Sequence, residues 1–206
     1  MSIGGAQYGE DAILAPYFAD TPKGFLVDVG AANGVDNSNS IRLLERGWSG
    51  ILIEPEPDQF AELQAQWRDR ADIECLNIAC GTKRGLAPFY RAGQVSTLDT
   101  VWRDRCIEVH KLTYRESQVV VEPLEAVLSA CLPASGFESC APSDQGKFAF
   151  LSVDCEGRDR DVLESLDLTF YRPRLIVVEG SGSYLASQGY HQIKGTHGNR
   201  FWERDA

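Results

Sequence analysis

Apolar residues fall in short runs separated by turn-forming breaks. Phe25, Leu26, Val27 and Val29 make the first run, between Lys23-Gly24 and Gly30-Ala31-Ala32-Asn33-Gly34. Gly50 to Ile53, the segment Ile73, Cys75, Leu76 and Ile78, Phe148 to Val153, and Arg174 to Val178 repeat the pattern. Continuous apolar runs of this length predict strands buried on both faces. Helical spacing occupies the intervals: Ala12 to Phe18, Ser38 to Arg46, Phe60 to Trp67 and Asp161 to Leu168. Gly47 ends the second of these as a C-terminal glycine stop, and Trp48 beyond it reads as core. Strands alternating with helices predict a doubly wound α/β sheet. Two β patterns around Thr196-His197-Gly198-Asn199, within residues 189 to 204, predict an antiparallel edge hairpin.

Residues 86 to 147 break the rhythm. Leu86 to Arg91 predicts a hairpin strand, Ser96-Thr97-Leu98 a turn, Val119 to Val121 a strand and Leu124 to Leu128 a short helix. Residues 132 to 147 are turn-rich and predict an exposed loop. Between them Arg103, Arg105, Lys111 and Arg115 alternate with Trp102, His110 and Tyr114. Two readings fit: a lid over a sugar or anionic substrate, or a solvated helix face.

The break after the first strand is where chemistry enters. Strand, glycine turn and helix bring backbone N–H groups towards a nucleotide-like ligand. Asp28 lies inside the apolar strand, and a buried carboxylate needs partners. Loop N–H groups or a cationic ligand are the expected ones. A dinucleotide fingerprint needs a middle glycine where Ala32 stands, and no phosphate-binding G-x-x-x-x-G-K-[ST] loop occurs. An acid beside a looser glycine turn suits a ligand with an amino group and a sulfonium, as in S-adenosylmethionine. A structural strand–turn–helix of another α/β protein is the competing reading. Glu54, 20 positions after Gly34, ends the second strand, where an acid reaches ribose hydroxyls. Pro55 and Pro57 fix the exit, and Glu56 and Asp58 read as solvated or helix-start acids.

In order along the chain stand Ala6-Gln7-Tyr8-Gly9-Glu10-Asp11, Val27-Asp28-Val29-Gly30-Ala31, Ser38-Asn39-Ser40, Gly47-Trp48-Ser49-Gly50-Ile51-Leu52-Ile53-Glu54-Pro55, Asn77-Ile78-Ala79, Asp154-Cys155-Glu156-Gly157 and Ile176-Val177-Val178-Glu179. This series resembles the FkbM family of S-adenosylmethionine-dependent methyltransferases. The resemblance implies a Rossmann-like class I methyltransferase fold in one domain over residues 1 to 206. It would have a mostly parallel seven-stranded sheet, an antiparallel edge hairpin, helices on both faces and a substrate-lid insertion around residues 86 to 147. It implies cofactor contacts from Asp28, Gly30, Ala31, Gly34, Asn39, Glu54, Pro55, Asn77 and Ile78, with Gln7 and Asp11 as further contacts. Asn39 is also a natural helix cap. The implied acceptor is a hydroxyl of a sugar or natural product.

Carboxylates at strand ends face the ligand edge of such a sheet. Asp154, Glu156 and Glu179, in that order, are the candidate general bases for a hydroxyl acceptor held in line with the methyl–sulfur bond. They would also suit a magnesium ion, the less favoured reading, and no metal ligand set is assigned. Capping of the helix near Arg158 is a further alternative for Asp154 and Glu156. Ala32-Asn33, Ser152 and Arg158-Asp159 depart from the family pattern, which leaves the acceptor open. A non-catalytic nucleotide- or cofactor-binding module and an NAD-dependent oxidoreductase are the other classes.

The net charge of −10 argues against nucleic acid as partner. No apolar stretch is long enough to span a membrane, and the N-terminal residues do not read as a signal peptide. The six cysteines include no C-x-x-C pair, which predicts reduced thiols and a cytoplasmic setting. A homo-oligomer is compatible with all of this.

Overall fold

The computed structural model describes residues 5–132 and 147–205. Much of the loop expected over 132 to 147 lies outside the described residues.

The elements in chain order are β1 (Gly5–Ala6), α1 (Asp11–Tyr17), β2 (Phe25–Val29), β3 (Asp36–Asn37), α2 (Ile41–Glu45), β4 (Ser49–Ile53), α3 (Pro57–Trp67), β5 (Ile73–Leu76), β6 (Ala79–Cys80), β7 (Gly85–Arg91), α4 (Thr100–His110), β8 (Arg115–Glu122), α5 (Leu124–Cys131), β9 (Phe150–Val153), α6 (Asp159–Glu164), α7 (Leu168–Tyr171), β10 (Leu175–Glu179), β11 (Tyr190–Gly195) and β12 (Asn199–Arg204). Seven strands form the central sheet in the order β11-β12-β10-β9-β2-β4-β5. Only β12 runs against the rest, pairing antiparallel with both β10 and β11. The expected parallel sheet with an antiparallel edge hairpin is therefore the observed one.

Alternation along the strands divides the core. Phe25, Val27 and Val29 of β2 face Leu124, Leu128, Val162 and Leu163 on one side. Leu26 faces Ile41, Leu44, Leu63 and Trp67 on the other. Asp28 follows Leu26 by two positions, so it shares the face covered by α2. Trp48 is fully buried, its Nε1–H donating to the Thr21 carbonyl at 3.2 Å.

The chain leaves β2 for β4 and β5 on one side and returns to β9 on the other. The strand order thus reverses between β2 and β9, where open α/β sheets bind ligands beyond their strand ends.

A second, three-stranded sheet of order β6-β8-β7 projects from the main one. β7 and β8 pair antiparallel from Gly85↔Val121 to Arg91↔Arg115, with α4 between them in the chain. Phe89, Val119, Val121 and Ala79 give this arm its own small core. Within the range expected for the insertion, 86 to 147, α5 packs Leu124, Val127 and Leu128 into the main core. Arg115 belongs to β8 and not to the helical basic cluster. Arg91 ties the arm to the main body by reaching Glu56 at 2.6 Å and Asp58 at 2.9 Å. Glu56 is a helix-start acid as expected, accepting from the N–H of Asp58 and Gln59, but it is buried and not solvated.

Candidate active site

Two contiguous cavities open at the β2–β9 switch point. The more apolar one, about 510 Å3, is lined by Val29, Ile53, Glu54, Pro55, Ile78 and Phe89 among others. The polar one, about 590 Å3, includes Gln7, Asp28, Ser38, Asn39 and Ser152. Gly30, Gln94, Asp154 and Glu156 line both and mark the junction.

The glycine turn is bound to its neighbours and not poised for phosphate. The N–H groups of Gly30 and Ala31 donate to the Ile53 carbonyl at 2.9 and 3.0 Å. That of Ala32 donates to Glu54 Oε2 at 2.8 Å. Three donors that a pyrophosphate would need are already occupied, which removes the basis for the NAD reading. Gly30 has φ +86°, and a Cβ there would lie 1.7 Å from the Asp154 carbonyl oxygen. Gly30→Ala therefore meets a backbone clash and a left-handed conformation together. We expect it to lose about 3 kcal/mol or more of unfolding free energy in a urea titration.

Asp28 is buried, and burial pushes its carboxyl up to about 6. The Ser40 and Ser152 hydroxyls oppose that shift by favouring the charged form. The loop N–H groups expected as its partners instead bond to Ile53 and Glu54. Glu54 accepts from Glu56 N–H at 2.6 Å as well as from Ala32, and burial still lifts it to about 7. Ser38 Oγ accepts from the N–H of Ile41 at 3.1 Å, and Asn39 does not cap α2, whose N-cap position is Ser40. Asn39 donates to Ser152 Oγ at 3.4 Å. Its Oδ1 is buried without a hydrogen-bond partner, on the wall of the polar cavity.

Beyond β9 the acids crowd. Asp154 is held well above the usual carboxylate range by burial and then by Glu179, Asp159 and Asp28. Glu156 is pushed to about 7 by burial and Asp154, against a lowering hydrogen bond from Trp102. Glu179 rises to about 8 through burial, Glu156 and Asp159, moderated by a hydrogen bond with Asp154. Asp159 rises to about 6 through burial, although its Oδ1 accepts from Cys155 N–H at 3.0 Å. Oxygens of Asp154, Asp159 and Glu179 lie within 4.8 Å of one another. No side chain caps α6, so the capping alternative for Asp154 and Glu156 does not hold.

Three expected contacts face elsewhere. Gly34 turns towards Leu63 and Trp67, where a Cβ would lie 2.4 Å from Leu63 Cδ1. Asn77 Nδ2 turns back to the Glu54 carbonyl at 2.8 Å and the Pro55 carbonyl at 3.2 Å, bracing the exit of β4. Gln7 lines the polar cavity, but Asp11 holds Ala6 N–H at 3.1 Å instead. Ser152, Gln94, Thr97 and Trp102 complete the site without having been singled out for it. Ser152 was visible only as a departure from the family pattern, and Gln94 gave no signal.

The residues fit S-adenosylmethionine. An orphaned buried acceptor, Asn39 Oδ1, and the Asp28 carboxylate share the polar cavity, where an ammonium supplies the missing donors. Glu54, just beyond the end of β4, borders the apolar cavity, with Pro55 and Ile78 as apolar walls.

Fold and site together define a class I S-adenosylmethionine-dependent methyltransferase. The methyltransferase FkbM domain matches residues 28–193, and the chain belongs to that family. No curated protein matches it significantly. Its fold is similar to that of yhhF from Escherichia coli, assigned as a methyltransferase. That match has a TM-score of 0.53 and 11% identity, over 100% of this chain and 92% of the other. It is also similar to HI0767 from Haemophilus influenzae, assigned as a methylase, with a TM-score of 0.53 and 11% identity over 97% and 90% of the two chains. Among the described residues no helix is long and apolar enough to cross a membrane, and the five described cysteines are free thiols.

Proposed function

We propose that the chain methylates a hydroxyl group of a small polyhydroxylated acceptor, a sugar or natural product, with Glu156 as the proton acceptor. S-adenosylmethionine supplies the methyl group from its sulfonium. The observation that carries the reading is the place of Glu156: at the junction of an apolar cavity and an acidic polar one. Asp28 and Asn39 hold the amino-acid end, Glu54 the ribose, and Pro55 and Ile78 the base edge.

As the acceptor oxygen forms its bond to the methyl carbon and the carbon–sulfur bond breaks, the hydroxyl proton passes to Glu156. A carboxyl near 7 is ionised in part at neutral pH and is matched to that task. Asp154 was the first-ranked base in the sequence. Burial and Glu179 hold its carboxyl well above the usual range, which suits it to shape the field and not to take the proton. The same acids repel polyanions, which supports a neutral acceptor. A bound divalent cation is not part of this reading.

Isothermal titration of S-adenosylmethionine tests the cofactor half. Wild type should bind in the micromolar range, and Asp28→Ala and Glu54→Ala should each weaken binding about 10-fold or more. Wild-type protein that binds NAD and ignores S-adenosylmethionine would refute it. The acceptor half is read by methyl transfer to a panel of sugars and phenolic or polyol natural products. Transfer to nitrogen alone would refute the hydroxyl assignment.

A further inference from the structure

Glu156 has φ +49°, a left-handed conformation that a glutamate adopts only under constraint. The constraint comes from the inserted arm. The Thr97 hydroxyl donates to the Glu156 carbonyl at 2.8 Å. The Trp102 indole Nε1–H donates to Glu156 Oε2 at 2.6 Å. Gly157, with φ +96°, packs so closely that a Cβ there would lie 3.2 Å from Trp102 Cβ. Asp99 anchors the same corner twice: Oδ1 accepts from Trp102 N–H at 2.8 Å, and Oδ2 lies 3.3 Å from Arg158 Nε. Thr97 Oγ1 in turn accepts from Asp99 N–H at 2.8 Å. Backbone, carboxylate and following residue of this one glutamate are thus all gripped by α4 and the turn before it.

We propose that Trp102 is a positioning residue that fixes the Glu156 carboxylate at the junction of the two cavities, so that the inserted arm is a wall of the catalytic site and not a separable lid. The proposal rests on the reading of Glu156 as proton acceptor. Its chemistry is that of the indole, a donor only. It occupies Oε2 and favours the charged form, which leaves Oε1 to receive a proton. The other ionisable groups around Glu156 are Asp154 and Asp159 on its own loop and helix, Glu179 at the end of β10, and Tyr114 before β8. The cations nearby are turned to other partners: Arg158 pairs with Asp99 at 3.3 Å and Asp161 at 2.7 Å, and Arg105 lies 5.7 Å over the Trp102 ring, so the indole N–H is the donor placed on the Glu156 carboxylate.

The test is a pH titration of the full chain, unliganded, labelled with 15N at the indole nitrogens. The resonance missing from Trp102→Phe identifies Trp102 among the four tryptophans. Its N–H shift should move with a midpoint near 7, following Glu156. In Glu156→Gln the movement should vanish. The Trp48 indole, bonded to a backbone carbonyl, serves as the control. In Trp102→Phe, which keeps the aromatic ring, the Glu156 carboxyl read by 13C should titrate about one pH unit higher. A Trp102 resonance that stays flat from pH 5 to 9, or moves equally in Glu156→Gln, overturns the proposal. So does an unshifted Glu156 midpoint in Trp102→Phe. If Trp102→Phe does not fold, its resonance is assigned through its amide neighbours, and the comparison of wild type with Glu156→Gln decides. These readouts need neither cofactor nor acceptor. Failure of the methyl-transfer reading would show separately, as absent S-adenosylmethionine binding with the indole coupling intact.

Discussion

Glu156→Gln should lower the methyl-transfer rate by about 10²–10⁴-fold while S-adenosylmethionine affinity stays within a few-fold. The substitution keeps the volume of the side chain and an oxygen for the Trp102 indole, but removes the site that receives the proton. Because Glu156 lies at the cavity junction and not in the ammonium or ribose subsites, binding should survive. Asp154→Asn is the internal comparison. Burial and Glu179 raise the Asp154 carboxyl well above the usual carboxylate range, which favours its neutral form, so an amide should cost much less in rate there than at Glu156. The pH profile separates the two further. For wild type, kcat/KM should rise with pH through about 7, as Glu156 ionises in the free enzyme. That limb should disappear in Glu156→Gln and remain in Asp154→Asn. Single-turnover assays with an acceptor found in the screen measure both effects. A Glu156→Gln enzyme of near wild-type rate, paired with an inactive Asp154→Asn, would return the base role to Asp154.

What the sequence made legible is the part that depends on spacing along one strand. Phe25 to Val29 read as a doubly buried strand, and the structure places all five residues in the interior. The acids at the ends of β4, β9 and β10 were also placed correctly, because a strand end is fixed by its neighbouring glycine or proline. Direction was not legible. Gly34 and Asn77 stand at loop positions where a ligand contact is plausible by count, yet one backbone turn aims Gly34 at Leu63 and Trp67. Asn77 donates to the Glu54 and Pro55 carbonyls and so satisfies the exit of β4 instead. Long-range partnerships were equally hidden. Trp102 and Glu156 are 54 positions apart, and nothing in the local pattern of α4 distinguishes its one inward tryptophan from a solvated face. Arg91 and Glu56 likewise find each other only once the arm folds back over α3.

The ligand-free protein should lose stability as pH rises from 5 to 8. Asp28, Glu54, Glu156, Asp159 and Glu179 all have folded-state values raised to between about 6 and about 8, while in the unfolded chain they ionise near 4. Between those limits the folded state binds more protons than the unfolded state, and unfolding free energy falls with pH. The stabilisation is complete below about pH 4 and is lost as each folded-state value is passed. Glu10, Asp72 and Asp167 are shifted the other way, but their contribution is lost only in acid and lies outside this window. For the buried Asp28, a shift of about two units corresponds to about 3 kcal/mol, or about 6–12 °C in Tm for a domain of this size. Asp28→Asn should therefore raise the apo Tm at pH 8 and flatten its slope, even as it weakens S-adenosylmethionine. The acids that destabilise the empty site are the ones a sulfonium and an ammonium neutralise. Cofactor binding should accordingly release protons, and the Tm gain from saturating S-adenosylmethionine should be larger at pH 8 than at pH 5. Differential scanning fluorimetry across the window measures the slopes, and titration in buffers of different ionisation enthalpy counts the protons. An apo Tm that is level or rises from pH 5 to 8 would show that these acids are already ionised in the empty site, and the account of their strain would fail.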